Sequence, residues 1–388
     1  MQSRQRVIII LLGIAIALLT LISTVVHLLT ESWWFEAVGF ASVFWQRIAW
    51  QVGIWIATFV LYAAFLGFNY WLALRLTGDR AFRFLESSEF EPYTKKFANY
   101  AVAVLVFIVS FSVANLSATA YELFPRFLNA TDFDRLDPIY QLDLGFYIFR
   151  LPLLDNLENW CLALLICGLA LSVLVYVFKG ILRFDWQWKS LVIERQWQKL
   201  ITKPIKVHLS LLLAAIAIDI AVDFWLERYE LLYSSQGVVW GADYTDTHAR
   251  LFAFWVMIIA SVLLGLWLIV ATWSNNLLRP IYGIGVYVVI LLFVNAIYPE
   301  LQQRFVVEPN ELAKELPYIK HNIEFTRQAY DLTDIDTQNY QLDSSPGSNA
   351  SILQENQATI DNYRRFVFTI SLKMSMSIAI LSMAITIR

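Results

Sequence analysis

Three carboxylates, Asp219, Asp223 and Glu227, recur every four residues in the stretch KVHLSLLLAAIAIDIAVDFWLER. On a helix that spacing stacks them along one face. Asp219 would lie about 18 Å from Val207 by the 1.5 Å rise, deep enough in hydrocarbon for an unpaired carboxylate to be expensive. Two readings follow. One is an ion or proton site made by Asp219, Asp223 and Glu227. The other, favoured because the other apolar stretches offer no partner charges, is a helix that emerges early into an interfacial funnel, its acids paired with Arg228 or Arg250.

Other residues capable of chemistry are sparse. The stretch TDFDRLDPIYQLD places Asp132, Asp134, Asp137 and Asp143 close together, but it lacks the turn glycine and closing glutamate of an EF-hand, so it reads as a solvated acidic loop. The four histidines, His27, His208, His248 and His321, are scattered. No metalloprotease, nucleophile-elbow or phosphate-loop motif occurs, so no enzyme, catalytic residue, metal site or cofactor is read. Cys161 and Cys167 would stand about 9 Å apart on one helix, beyond disulfide reach, and read as packing residues. Asn69, Asn115 and Asn295 offer interhelical hydrogen bonds, and Gly283 and Gly285 offer close helix approach.

The elements that must position these groups are written in lipid terms. Of 388 residues, 58% are hydrophobic and 16% charged, against about a quarter charged in soluble domains. Runs near the crossing length of about 20 residues occur at Val7 to Leu29, Val52 to Leu72, Tyr100 to Ala120, Trp160 to Phe178, Val207 to Leu226, Leu251 to Trp273 and Ile281 to Ile297. Backbone amides in hydrocarbon must be paired within their own segment, so these runs are helices and the expected fold is an all-α membrane protein of about seven spans. The first run is too long for a signal peptide and has no cleavage pattern, and it is read as retained.

Lysine and arginine set the direction. With the N-terminus cytoplasmic, fifteen basic residues fall inside, among them Arg4, Arg6, Arg75, Lys179, Lys189, Lys203, Lys206 and Arg279, against five outside, Arg47, Arg126, Arg135, Arg150 and Arg228. Seven crossings then deliver everything after Ile297 to the extracytoplasmic side. Trp33, Trp34, Trp45, Trp50, Tyr70 and Trp71 read as interfacial anchors. The block ESWWFEAVGFASVFWQR reads as an interfacial or re-entrant helix, with a ligand-stacking platform as the sharper alternative. Trp186, Trp188 and Trp197 lie among basic residues and suit an amphipathic helix on the inner leaflet.

Beyond the last run, RFVVEPNELAKELPYIKHNIEFTRQAY turns polar. Asn310 after Pro309 is placed to cap a helix, Pro317 to divide it from a second, and Leu312, Leu316, Ile319 and Ile323 to form its buried face. The segments VVEPNELAKELPYIKHNIEFTRQAYDL, DLGFYIFRLPLLDN and WWFEAVGFASVFWQR resemble those of one group of bacterial and cyanobacterial membrane proteins, the uncharacterised protein family UPF0182, over about residues 1 to 362. The resemblance implies a bacterial cell membrane, about seven helices, a large extracytoplasmic domain and no assigned activity. The division expected is a transmembrane domain at 1–298, a partial extracytoplasmic domain at 299–362, and an apolar tail at 363–388. That tail departs from the family pattern near Asp361, as a changed reading frame or an eighth helix would. The expected role is a non-enzymatic membrane platform for an envelope-facing domain, with a transporter or channel as the alternative. The expected partners are the lipid bilayer and envelope proteins, not nucleic acid.

Overall fold

The computed structural model of the chain describes residues 22–78, 91–181, 202–235, 237, 240–274 and 278–335, with 354, 357 and 359. Among them no strand forms, and a single isolated bridge joins Leu136 to Asp143. Helix α1 (residues 22–37) leads into α2 (Ala41–Thr77), α3 (Glu91–Thr119), the short α4 (Leu123–Leu128), α5 (Leu151–Phe178) and α6 (Lys203–Glu230). Then come α7 (Leu251–Ala271), α8 (Leu278–Leu291), α9 (Tyr298–Gln302) and α10 (Glu311–Ala329).

Six helices are long and apolar enough to cross a membrane: α2, α3, α5, α6, α7 and the run that begins with α8. They coincide with the expected spans from Val52 onward. The first expected span, 7–29, lies mostly outside the described residues, as do Trp186, Trp188, Trp197, Lys189 and the tail at 363–388. The helices overrun the apolar stretches that announce them: α2 has 37 residues, about 55 Å at 1.5 Å each, against a hydrocarbon core of about 30 Å.

Successive spans run in opposite directions, so the starts of α2, α5 and α7 gather at one end of the bundle with the ends of α3 and α6. Helix α6 lies at the centre, packed on α7 and α5, while α2 packs on α3 and α5, and α8 on α7 alone. The largest core joins Ala214, Ala217 and Phe224 of α6 to Phe254, Met257 and Leu264 of α7 and Tyr287 of α8. A Cβ on Gly283 would meet the Trp267 ring at 2.3 Å, so this glycine is needed for the approach of α8 to α7, whereas Gly285 has nothing within 4 Å. The close-approach expectation therefore holds at Gly283 only. Asn69 reaches another helix, as expected, while Asn115 donates to Phe111 O of its own helix at 2.8 Å.

Glu31 to Arg47 does not form a separate interfacial helix. It is the corner between α1 and α2: the chain turns at residues 38–40, with Gly39 at φ 81°, and Arg47 closes the corner on Glu31 at 2.7 Å. The guanidinium also lies over the rings of Phe35 and Phe44, at 5.5 and 5.3 Å. Trp33, Trp34, Trp45 and Trp71 are exposed, as anchors require.

The second departure is after Ile297. Asn310 does not cap a new helix and Pro317 does not divide one; residues Leu278–Ala329 form one helical run. Proline removes a backbone donor and crowds the carbonyl four residues earlier. Here widened π-helical turns at Leu292–Ile297 and Gln303–Val307 lie just before Pro299 and Pro309 and absorb that crowding, and Asn310 sits in a 3-10 turn, Glu308–Asn310. A third such turn, Phe146–Arg150, precedes Pro152. Pro317 is carried inside α10.

By contact the chain forms two units, residues 1–327 and 328–388. In the second, the helix gives way at Asp331, which takes φ 54° while its N–H donates to Gln328 O at 3.2 Å.

Candidate functional site

Helix α6 does carry Asp219, Asp223 and Glu227 along one face, and the fold brings them a partner row that the sequence reading left out. The helical run that contains α5 begins at Phe146, well before Trp160, so Asp155 and Glu158 belong to the helix that packs on α6. Glu158 is close enough to Asp219 and Asp223 for their charges to act on it, and Cys161 lies one turn further along the same face of α5. Asp155 faces Asp223 and Glu230. Glu158 and Asp219 are 6% and 8% exposed, and Oε1 of the first and Oδ2 of the second have no hydrogen-bond partner.

The arginines expected to neutralise this face are committed elsewhere. Arg250 pairs with the buried Asp246 at 2.7 Å and acts on Glu227 only at longer range. Arg228 donates to Trp225 O at 3.0 Å and to the Tyr229 hydroxyl at 2.6 Å, its guanidinium enclosed by the rings of Trp225, Tyr229 and Trp255. Cys161 is exposed on the helix surface and Cys167 is half-buried, both as free thiols.

A second constellation lies at the end of the bundle where α5 and α7 begin. The loop read as solvated is half ordered by its own aspartates. Asp132 and Asp134 are exposed, but Asp137 is 2% exposed and accepts from Ile139, Tyr140 and Leu142 N–H at 2.6 to 2.9 Å and from the Tyr147 hydroxyl at 2.9 Å. Asp143 accepts from the N–H groups of Phe133, Arg135 and Gly145, which hold its carboxyl below the usual aspartate range. Both carboxylates are thus occupied by donors. Gly145 has to be glycine, because a Cβ there would meet Thr131 O at 2.4 Å. Burial pushes the Tyr140 phenol up, and its hydroxyl donates to Arg228 O, tying the loop to α6.

Helix α10 is clamped to the same end. Glu315, 5% exposed, accepts from Tyr244 N–H with both oxygens at 3.3 Å; Lys314 donates to the Tyr244 hydroxyl at 3.2 Å and sits over its ring at 4.6 Å. Thr247 and Tyr318 share a hydrogen bond at 2.6 Å, and Asn322 donates to Trp240 O at 2.8 Å. Between α10, the loop and the 232–242 segment is a cavity of about 350 Å³ bordered by Asp137, Tyr147, Trp240, Tyr318, His321 and Phe325. Of the face expected to be buried, Leu312, Leu316 and Ile323 are 73%, 42% and 52% exposed and Ile319 is half-buried, and the buried side of the helix is the adjacent one that carries Glu315. Nothing in the apolar periodicity could reveal this, since it marks which residues shun water and not which partner arrives.

The chain matches the sequence profile described as Uncharacterised protein family (UPF0182) over residues 8–371. The match runs past Asp361, where the pattern had suggested a break. A UPF0182 protein of Trichodesmium erythraeum is 46% identical over 93% of this chain and 38% of its own length. Relatives from Cupriavidus necator and Trichlorobacter lovleyi are 34% and 32% identical, each over 90% of this chain and 37% and 39% of their own lengths. The chain thus spans about two-fifths of the length of the curated relatives it matches. No solved structure matches it.

Proposed function

Since the chain belongs to the uncharacterised protein family UPF0182, whose members continue for more than twice its length, we propose that it is the membrane platform on which the rest of such a protein is seated. The observation that carries this reading is the build of α10. A helix emerging from a bundle has no need to be held by Glu315, Lys314, Tyr318 and Asn322 unless its orientation matters. Held in that way, it turns Leu312, Leu316 and Ile323 outward as an apolar face. The occupant of that face is the remaining part of the longer family members, not a lipid surface, because Glu311, Lys320 and Glu324 flank it and are exposed.

In this reading the platform sits in the bacterial cell membrane with its N-terminus cytoplasmic, α10 and the 131–145 loop extracytoplasmic, and no chemistry of its own in this part of the protein. Cysteine labelling tests it. With the native cysteines replaced, Leu312→Cys should react with a membrane-impermeant maleimide in this chain and be protected at the matching position of the full-length Trichodesmium erythraeum relative. Equal labelling of the two would sink the platform reading.

A further inference from the structure

We propose that Glu158 of α5 and Asp219 of α6 form a carboxyl pair that binds a proton inside the helix bundle, with access from the end where α5 begins. The two side chains sit on the packed helices α5 and α6 and act on one another, each is more than nine-tenths buried, and each keeps one oxygen without a partner. Two ionised carboxylates in contact repel, and in an apolar bundle little solvent screens them. A single proton between the two carboxyl groups removes the repulsion and supplies the donor that an acceptor-only pair lacks. The unpartnered Glu158 Oε1 and Asp219 Oδ2 remain as the points where a second proton or a water would attach.

The surroundings favour a proton over a metal ion. From α5 the pair faces Asp155 and Cys161; from α6, Asp223, with Glu227 and Glu230 beyond it; from α8, Tyr287 faces Asp223; and from the turn before α7, Arg250 acts on Glu227 but is bridged to Asp246. Among the described residues no three ligating side chains are placed to hold a metal ion. The acids also point a way in. Helix α5 runs inward and α6 outward, so Asp155 on one and Asp223, Glu227 and Glu230 on the other lie successively nearer the loop-bearing end, each four-residue step covering about 6 Å. They place acidic groups between the loop-bearing end and the buried pair.

Infrared difference spectroscopy on the whole chain in lipid nanodiscs, titrated with acid and base in H2O and D2O, tests the proposal. A protonated-carboxyl band that shifts in D2O should be present at neutral pH. It should disappear in both Glu158→Gln and Asp219→Asn, each read beside the helix content of the variant, and persist in Asp132→Asn, which alters an exposed loop. Should one amide variant fail to fold, the other and the wild-type band still decide. Absence of the band from the wild-type chain at neutral pH would overturn the proposal, as would its persistence in a folded variant. Loss of the band on adding sodium at fixed pH would overturn it too, in favour of a cation.

Discussion

His208 is bonded at both ring nitrogens, to the Tyr176 hydroxyl through Nδ1 at 2.7 Å and to Asn69 Oδ1 through Nε2 at 3.0 Å, and it is 6% exposed. The amide nitrogen of Asn69 donates to Phe65 O, which fixes its carbonyl oxygen toward the ring. An oxygen can only accept, so Nε2 carries the hydrogen and Nδ1 receives the tyrosine proton. One neutral imidazole therefore joins α2, α5 and α6. Asn69→Ala should cost about 1–2 kcal/mol, because a buried N–H loses its acceptor. The triple change Asn69→Leu, His208→Leu and Tyr176→Phe should cost less, since it removes every donor and acceptor of the cluster together. Unfolding of the purified chain in mixed micelles checks this; a triple variant less stable than Asn69→Ala would mean that packing, not pairing, holds the site. Asn69 stood out in the sequence as a polar residue in an apolar run. Its partners did not, because a lone tyrosine and a lone histidine give no spacing signal. Asp155 and Glu158 were hidden for another reason: hydropathy places the start of the span at Trp160, while the helix begins earlier, at Phe146.

At the scale of elements, proline was the hardest residue to read. Pro309 and Pro317 announce breaks by the usual rule, yet both lie in a continuous run, one after a widened turn and one within α10. The same run buries a side other than the one expected. Glu315 is enclosed, while Leu312, Leu316 and Ile323 of the stripe read as buried are exposed. Glu315→Ala should therefore loosen α10 by about 1–3 kcal/mol, the range for stranding a buried backbone donor, here Tyr244 N–H. Leu312→Ala should stay within about 0.5 kcal/mol in this chain, as surface changes do. Hydrogen exchange over residues 240–248 and 311–329 separates the two. If Leu312→Ala speeds exchange and Glu315→Ala does not, the pattern-based face is the packed one.

Over the whole molecule, the crossing helices were legible because twenty apolar residues in a row have few other uses, and the direction rests on how the helices alternate. Arg75, Lys179, Lys203, Lys206 and Arg279 fall at the ends of α2 and α5 and the starts of α6 and α8, which the alternation gathers at one end of the bundle. Arg47, Arg126, Arg135, Arg150 and Arg228 gather at the other, but several of these are held by the protein: Arg47 by Glu31, Arg126 by Glu122, and Arg228 by its aromatic rings. The corner at residues 38–40, closed by Glu31 and Arg47, turns the chain back on itself, so a crossing by 7–29 would start at the end that carries Arg75 and Lys203. That makes the expected side of α10 testable without knowledge of function. A reporter fused after Ile297 should be active only outside the cytoplasm, and one fused at Lys189 only inside. Activity of both on the same side would mean an even number of crossings between them, and α10 would then lie with the basic end of the bundle and not opposite it.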